Sequence, residues 1–151
     1  MAEQRVTIEL DERIGLEGGF SPLECGRGGA LILHPHPGYG GSMDNNVVEA
    51  LRRGAIQAGW SALRFNFRGV GRSGGRQGDL PAAVADTLAA ARWLAQRQPG
   101  PLALLGYSFG TLAGSLAADK VAGLACGLWV APPLAIGDLA PWPPGAGPLL
   151  I

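Results

Sequence analysis

The chain carries two kinds of hydrophobic pattern. Residues 6–10, "VTIEL", alternate apolar and polar positions and predict a half-exposed strand. By contrast "ALILH" (30–34), "SALRFNF" (61–67), "LALLGY" (102–107) and "GLACGLWVA" (123–131) are nearly continuous apolar runs, as in strands covered on both faces. "PLLI" (148–151) opens one more, and a further strand is expected over residues 20–25, after a turn at Gly18-Gly19. Helical periodicity fills the gaps. Ser42 is placed to cap a helix reaching Ala58, with Val47, Val48, Leu51 and Ala55 on one face and Gly59 beyond its end. Asp79 and Pro81 open a second helix with Leu80, Val84, Leu88 and Ala91 as its apolar stripe. A third starts directly after Ser108 and runs through Leu112 and Leu116 to about Lys120. Residues 132–148 are rich in proline and glycine and predict a loop.

Buried strands alternating with helices specify an α/β architecture: a mainly parallel sheet, helices on both faces, right-handed crossovers. With 151 residues the chain is expected to form one domain, 1–151. Ligands of such sheets sit at the carboxyl ends of the strands. Three motifs fall there: "HPHPGYGG", "NFRGVGRSGG" and "GYSFG".

Composition narrows the partners. Twelve basic and twelve acidic residues leave no net charge, so nothing favours nucleic acid or an anionic membrane. The opening "MAEQRVTIEL" lacks the profile of a secretory signal, and the uncharged run over residues 121–136 is broken by Pro132-Pro133 and too short to span a bilayer. The expected compartment is the cytoplasm. Cys25 and Cys126 are then expected to be reduced and unpaired, Cys126 as a small core residue.

The sharpest chemical signal is Gly106-Tyr107-Ser108-Phe109-Gly110, a G-x-S-x-G pattern between an apolar strand and a helical segment. There a serine occupies a strained turn, and the flanking glycines let strand and helix pass closely. Ser108 is the candidate nucleophile. The following helix N-terminus offers positive potential to an oxyanion, with the Phe109 N–H as first donor. A serine hydroxyl needs a base, and the two histidines, His34 and His36, both precede it.

Together "LILHPHPGYGGSMDNNVV", "LRFNFRGVGRSGG" and "LALLGYSFG" closely resemble the small, uncapped α/β-hydrolases of prokaryotes, over nearly the whole chain from about Val6. The resemblance implies an α/β-hydrolase fold and a Ser–Asp–His triad acting on small-molecule acyl compounds, carboxylic esters first among them, without a cofactor. It makes Ser108 the nucleophile and assigns the second oxyanion amide to the loop after "LILH". Pro35 and Pro37 have no N–H, which leaves His36, Gly38 and Tyr39. Many α/β-hydrolases use the position two beyond the strand-terminal histidine, here His36; the longer loop keeps Tyr39 open. Family members usually carry Gly-Glu where this chain has Ala82-Ala83, a structural change. In the family the triad aspartate and histidine follow a strand resembling "LLI", and this chain ends at Ile151, before either. The expectation is an N-terminal portion of such an enzyme, incomplete on its C-terminal side and inactive alone. It should have an open site and an exposed sheet edge that favours self-association. The alternative is a non-catalytic binding or interaction module.

Other readings are weaker. His34 and His36 are two apart, as in some metal sites, but a catalytic zinc needs a third ligand, and Asp44 and Asp79 are the neighbouring candidates. No metal is expected; loop-orienting hydrogen bonds suit both histidines better. Residues 69–74 match the dinucleotide pattern G-x-G-x-x-G, yet Gly75, Gly78 and Pro81 delay the helix that should bind the pyrophosphate, and Asp86 falls inside that helix. Asp138 follows "LWVAPP", where some α/β-hydrolases place their acid, and is expected to be a solvated loop carboxylate. Arg64 and Arg68 are expected in structural ion pairs.

Overall fold

The computed structural model describes residues 2–151. Seven strands form one sheet: β1 (Gln4–Glu9), β2 (Gly15–Ser21), β3 (Gly29–Leu33), β4 (Ser61–Phe65), β5 (Leu102–Tyr107), β6 (Leu124–Val130) and β7 (Leu149–Leu150). Their spatial order is β1-β2-β4-β3-β5-β6-β7. The pairs β1/β2 and β2/β4 are antiparallel, and every later pair is parallel. Three helices connect the parallel strands: α1 (Asn46–Gln57), α2 (Leu80–Arg97) and α3 (Phe109–Ala117). Among the described residues no helix is long and apolar enough to cross a membrane.

The continuous apolar runs are explained by two cores. Leu31, Leu33, Leu63, Phe65, Leu102 and Leu104 face α2 and α3; the intervening Ala30, Ile32, Ala62 and Ala103 face α1. Helices therefore cover both faces, as alternation requires. The α1 face is only partly covered. Beside α1 lies an open apolar groove of about 250 Å³, lined by Gly54, Trp60, Leu105, Cys126 and Leu128 among others. Cys126 is thus half-buried rather than a core residue; burial raises its thiol pKa, and both cysteines are free.

Four local expectations are corrected. The first hairpin turns at residues 10–14, where the Asp11 carboxylate accepts from the Arg13 and Ile14 N–H groups at 2.7 and 2.9 Å. Gly18 and Gly19 lie inside β2, where the Val6 and Glu3 side chains occupy the space a Cβ would need. The second strand therefore spans Gly15–Ser21 and not residues 20–25. Asn45, not Ser42, caps α1: its Oδ1 accepts from the Val47 N–H at 2.8 Å, while Ser42 Oγ accepts from the Asp44 N–H in the preceding turn. In α2 the buried face includes Ala83, Asp86, Thr87, Ala90 and Leu94 together with Ala91 of the expected stripe, whereas Leu80, Val84 and Leu88 are half-buried on its flank. Small residues there let the helix lie close to the sheet. Leu116 of α3 is exposed.

Candidate active site

The ends of β3, β4 and β5 bring the three motifs together. β5 ends at Tyr107, and Ser108 follows with φ 53° and ψ −117°, outside the regions open to most L-residues. Its N–H donates to the Val130 carbonyl at 2.9 Å, and the Thr111 N–H and Oγ1 donate to its carbonyl at 2.9 and 2.7 Å. These bonds hold a conformation that costs about 1–3 kcal/mol. The glycines are needed for room. A Cβ on Gly106 would lie 2.9 Å from the Gly110 backbone, and one on Gly110 would strike the Leu33 carbonyl of β3. Ser108 is half-buried, and among the described residues its hydroxyl bonds to no side chain.

Phe109 opens α3, where a backbone N–H has no intrahelical acceptor. Its ring lies 4.9 Å from the His36 ring, edge to face, so the loop after β3 sits beside the serine turn. Of the loop's three amides, two are occupied. The Gly38 N–H donates to His36 Nδ1 at 2.9 Å, and the Tyr39 N–H donates to the His36 carbonyl at 3.1 Å. Among the described residues the His36 N–H has no backbone or side-chain acceptor. The Tyr39 side chain is 88% exposed.

The two histidines differ. His34 is fully buried. Its Nδ1 lies 2.6 Å from the Pro35 carbonyl oxygen, and the Phe67 N–H points at its Nε2 at 3.1 Å. A carbonyl only accepts and an amide N–H only donates, so Nδ1 carries the proton and Nε2 is bare. Burial holds its pKa down at about 4. With both nitrogens engaged, His34 has none left for a metal. His36 Nδ1 accepts from Gly38, which puts the proton of the neutral ring on Nε2. Neither histidine presents a free acceptor nitrogen to Ser108 in these tautomers.

The arginine-rich loop after β4 is knitted into the scaffold. Asp86, fully buried in α2, accepts from Arg68 Nη2 and Nε at 2.7 and 2.9 Å and from the Arg68 N–H at 2.9 Å. Arg64 pairs with Glu3 at 2.7 Å and donates to the Met43 carbonyl at 2.9 Å. The Glu3 hydrogen bond and charge raise the Arg64 pKa. Both arginines are thus structural. The sequence reading did not single out Asn66, Ser73 or Glu17. Asn66 Oδ1 accepts from the Met43 N–H at 2.8 Å, its Nδ2 donates to Glu17 at 2.9 Å, and Ser73 Oγ donates to the Asn66 carbonyl at 2.7 Å. A polar residue inside the apolar run "SALRFNF" was the available signal for Asn66. Residues 69–74 lead into further loop and not into a helix, since α2 begins at Leu80, so they lack the helix N-terminus of a pyrophosphate site. Asp138 is an exposed loop carboxylate. Among the described residues no three His, Cys, Asp or Glu side chains cluster to hold a metal.

The model of the alpha/beta hydrolase family matches residues 30–151. The chain belongs to that family. Among solved α/β-hydrolase relatives, XC6422 of Xanthomonas campestris, described as a serine hydrolase without a lid, superposes with a TM-score of 0.86 at 28% identity, covering 99% of this chain and 70% of its own. The Agrobacterium tumefaciens protein of unknown function ATU1826 gives a TM-score of 0.83 at 30% identity, over 89% of this chain and 63% of its own. An uncharacterized protein of Rickettsia prowazekii is 45% identical over 83 residues, 54% of this chain and 35% of that protein. The chain thus spans about a third of that curated relative and under two thirds of the Agrobacterium structure.

Proposed function

We propose that this chain carries the nucleophile and oxyanion hole of a serine hydrolase that cleaves acyl compounds, carboxylic esters first among them. The observation that carries the reading is the Ser108 turn, strained between two glycines at the β5–α3 junction. Ser108 Oγ attacks the acyl carbon while its proton passes to a base. The carbonyl oxygen, now an oxyanion, is received by the N–H groups of Phe109 and His36. Collapse expels the alcohol, and water hydrolyses the acyl-enzyme. His36 is favoured over Tyr39 because its amide is free and that of Tyr39 is not. The absence of a lid in XC6422 supports an open site here.

The base and its aspartate are proposed to come from polypeptide outside these 151 residues, as the greater length of the relatives allows. Loss of the histidine from a serine triad lowers turnover by on the order of 10⁶. The 151-residue chain should therefore label weakly with a fluorophosphonate and turn over p-nitrophenyl esters little. A chain continued through a downstream Asp and His should do both, and Ser108→Ala should abolish both.

One observation favours a second reading. Both histidines are committed elsewhere, which suits a non-catalytic binding module. That reading expects no labelling in either form.

A further inference from the structure

The Pro35 carbonyl and the His36 N–H belong to one peptide unit. That unit is planar and trans, so its C=O and N–H point in opposite directions and turn together. His34 Nδ1 holds the oxygen end at 2.6 Å. We propose that His34 is a positioning residue for the oxyanion hole: by binding the Pro35 carbonyl it fixes where the His36 N–H points and polarises that amide as a donor. The inference rests on the serine-hydrolase reading of Ser108.

Three features make His34 suited to this. Its tautomer is fixed by a backbone group, because the Phe67 N–H needs a bare Nε2 and so leaves the proton on Nδ1. Its ring is fully buried and packs against the Phe67 ring at 4.6 Å, so it cannot swing away. Its frame is rigid, since Arg68, the next residue after Phe67, is held by main chain and side chain to Asp86 of α2. Burial holds the pKa near 4, which keeps the ring neutral and its tautomer constant across the working range. A hydrogen bond accepted by a peptide oxygen also strengthens donation by the same peptide's N–H. Pro35 contributes by lacking an N–H of its own, which leaves the His36 amide as the first main-chain donor after His34.

Two isosteric substitutions divide the roles. His34→Asn keeps an N–H donor near the Nδ1 position and loses the acceptor for Phe67. His34→Gln keeps an acceptor near the Nε2 position and loses the donor to Pro35. The probe is phenylboronic acid, titrated into the ¹⁵N-labelled chain, where a tetrahedral boronate on Ser108 mimics the oxyanion. In the unsubstituted chain long-range ¹H–¹⁵N spectra should show the proton on His34 Nδ1, and the probe should shift the His36 and Phe109 amides together. His34→Gln should bind about tenfold or more weakly, below the full loss of an oxyanion donor at about 10²–10³, and should shift Phe109 alone. His34→Asn should retain both shifts. A proton on Nε2, a His36 amide that the probe leaves unmoved, or equal weakening by the two substitutions would overturn the inference. The Nδ1 tautomer keeps it open to failure even where a variant does not fold. Ser108→Ala separates it from the underlying reading. If Ser108→Ala abolishes the shifts while the two His34 variants behave alike, positioning alone fails. If the shifts survive Ser108→Ala, the serine reading fails and the inference with it.

Discussion

Ser108 and Ala131 follow directly on the paired residues Tyr107 and Val130 of neighbouring strands, and both have positive φ, 53° and 49°. Among the described residues no other non-glycine does. Strain is therefore concentrated where β5 and β6 leave the sheet, and the Val130 carbonyl between them accepts the Ser108 N–H at 2.9 Å. Relief of strain should be measurable. Ser108→Gly is expected to raise stability by about 1 kcal/mol, the strain less glycine's entropic penalty, while removing the proposed nucleophile. Urea unfolding at neutral pH checks this, and a loss of stability would show that the turn is unstrained.

The flanking glycines should behave oppositely. Gly110→Ala drives a methyl group into the Leu33 carbonyl, and backbone cannot step aside as a side-chain end can. A loss of about 2 kcal/mol or more is expected from this overpacking. Gly54→Ala, where a Cβ meets nothing within 4 Å in the groove beside α1, is the control. It should stabilise α1 by about 0.5–1 kcal/mol. Thermal melts of the two variants should move in opposite directions.

His34 makes stability depend on pH. In the unfolded chain it takes up a proton near pH 6.5; in the folded chain only near 4. Between those values the unfolded state holds the extra proton. The contribution is therefore fully favourable above about pH 6.5, declines as pH falls, and levels off below about 4. At about 1.4 kcal/mol per unit the loss totals about 3 kcal/mol. His34→Asn should be less stable at pH 7 and should lack this decline. Denaturant midpoints between pH 7.5 and 4 test it; parallel curves for the two proteins would refute a buried neutral ring.

Asp86 is the buried anchor of the loop after β4, and removing its charge strands Arg68, whose side chain is 23% exposed. Asp86→Asn is expected to cost about 3 kcal/mol or more. Replacing both members, Asp86→Asn with Arg68→Met, should recover part of that. A double-mutant cycle measures the coupling, and additive losses would mean the pair is independent.

Association should follow from the open side of the sheet. Leu150 and Ile151 are 67% and 70% exposed at the edge strand, close in the sheet to the apolar groove beside α1. The 151-residue chain is expected to self-associate at micromolar concentration. Leu150→Lys should shift its sedimentation toward the monomer; a monomeric parent chain removes the basis for the expectation.

The legible parts of the sequence were those governed by local pattern. "LALLGY" matches β5 residue for residue, and Asp79 with Pro81 marks the start of α2, because burial on both faces and helix capping are properties of short windows. The first hairpin was misread because Gly18-Gly19 looks like a turn in isolation, whereas its glycines make room for the side chains of Val6 on β1 and of Glu3 just before it. Three of the four stripe positions of α2, all but Ala91, were misread because alanines, and an aspartate paired with a distant arginine, outcompeted larger residues for the buried face. At the site, the glycine-flanked serine was visible as a motif. The roles of His34 and Asn66 depend on partners up to 49 residues away, and no window along the chain contains them.

β5 carries Ser108 between β3 and β6, with four strands beyond it on one side and two on the other. Opening of a folded protein begins at its margins and reaches such interior strands only with the whole molecule. The Ser108 turn is thereby tied to the slowest-opening part of the chain. Fraying of β1 or β7 can occur many times per global unfolding event while the Ser108 backbone stays closed. Amide exchange at Tyr107 and Ser108 would then report the lifetime of the entire fold, and a reagent reaching the serine would meet it in its native geometry nearly always.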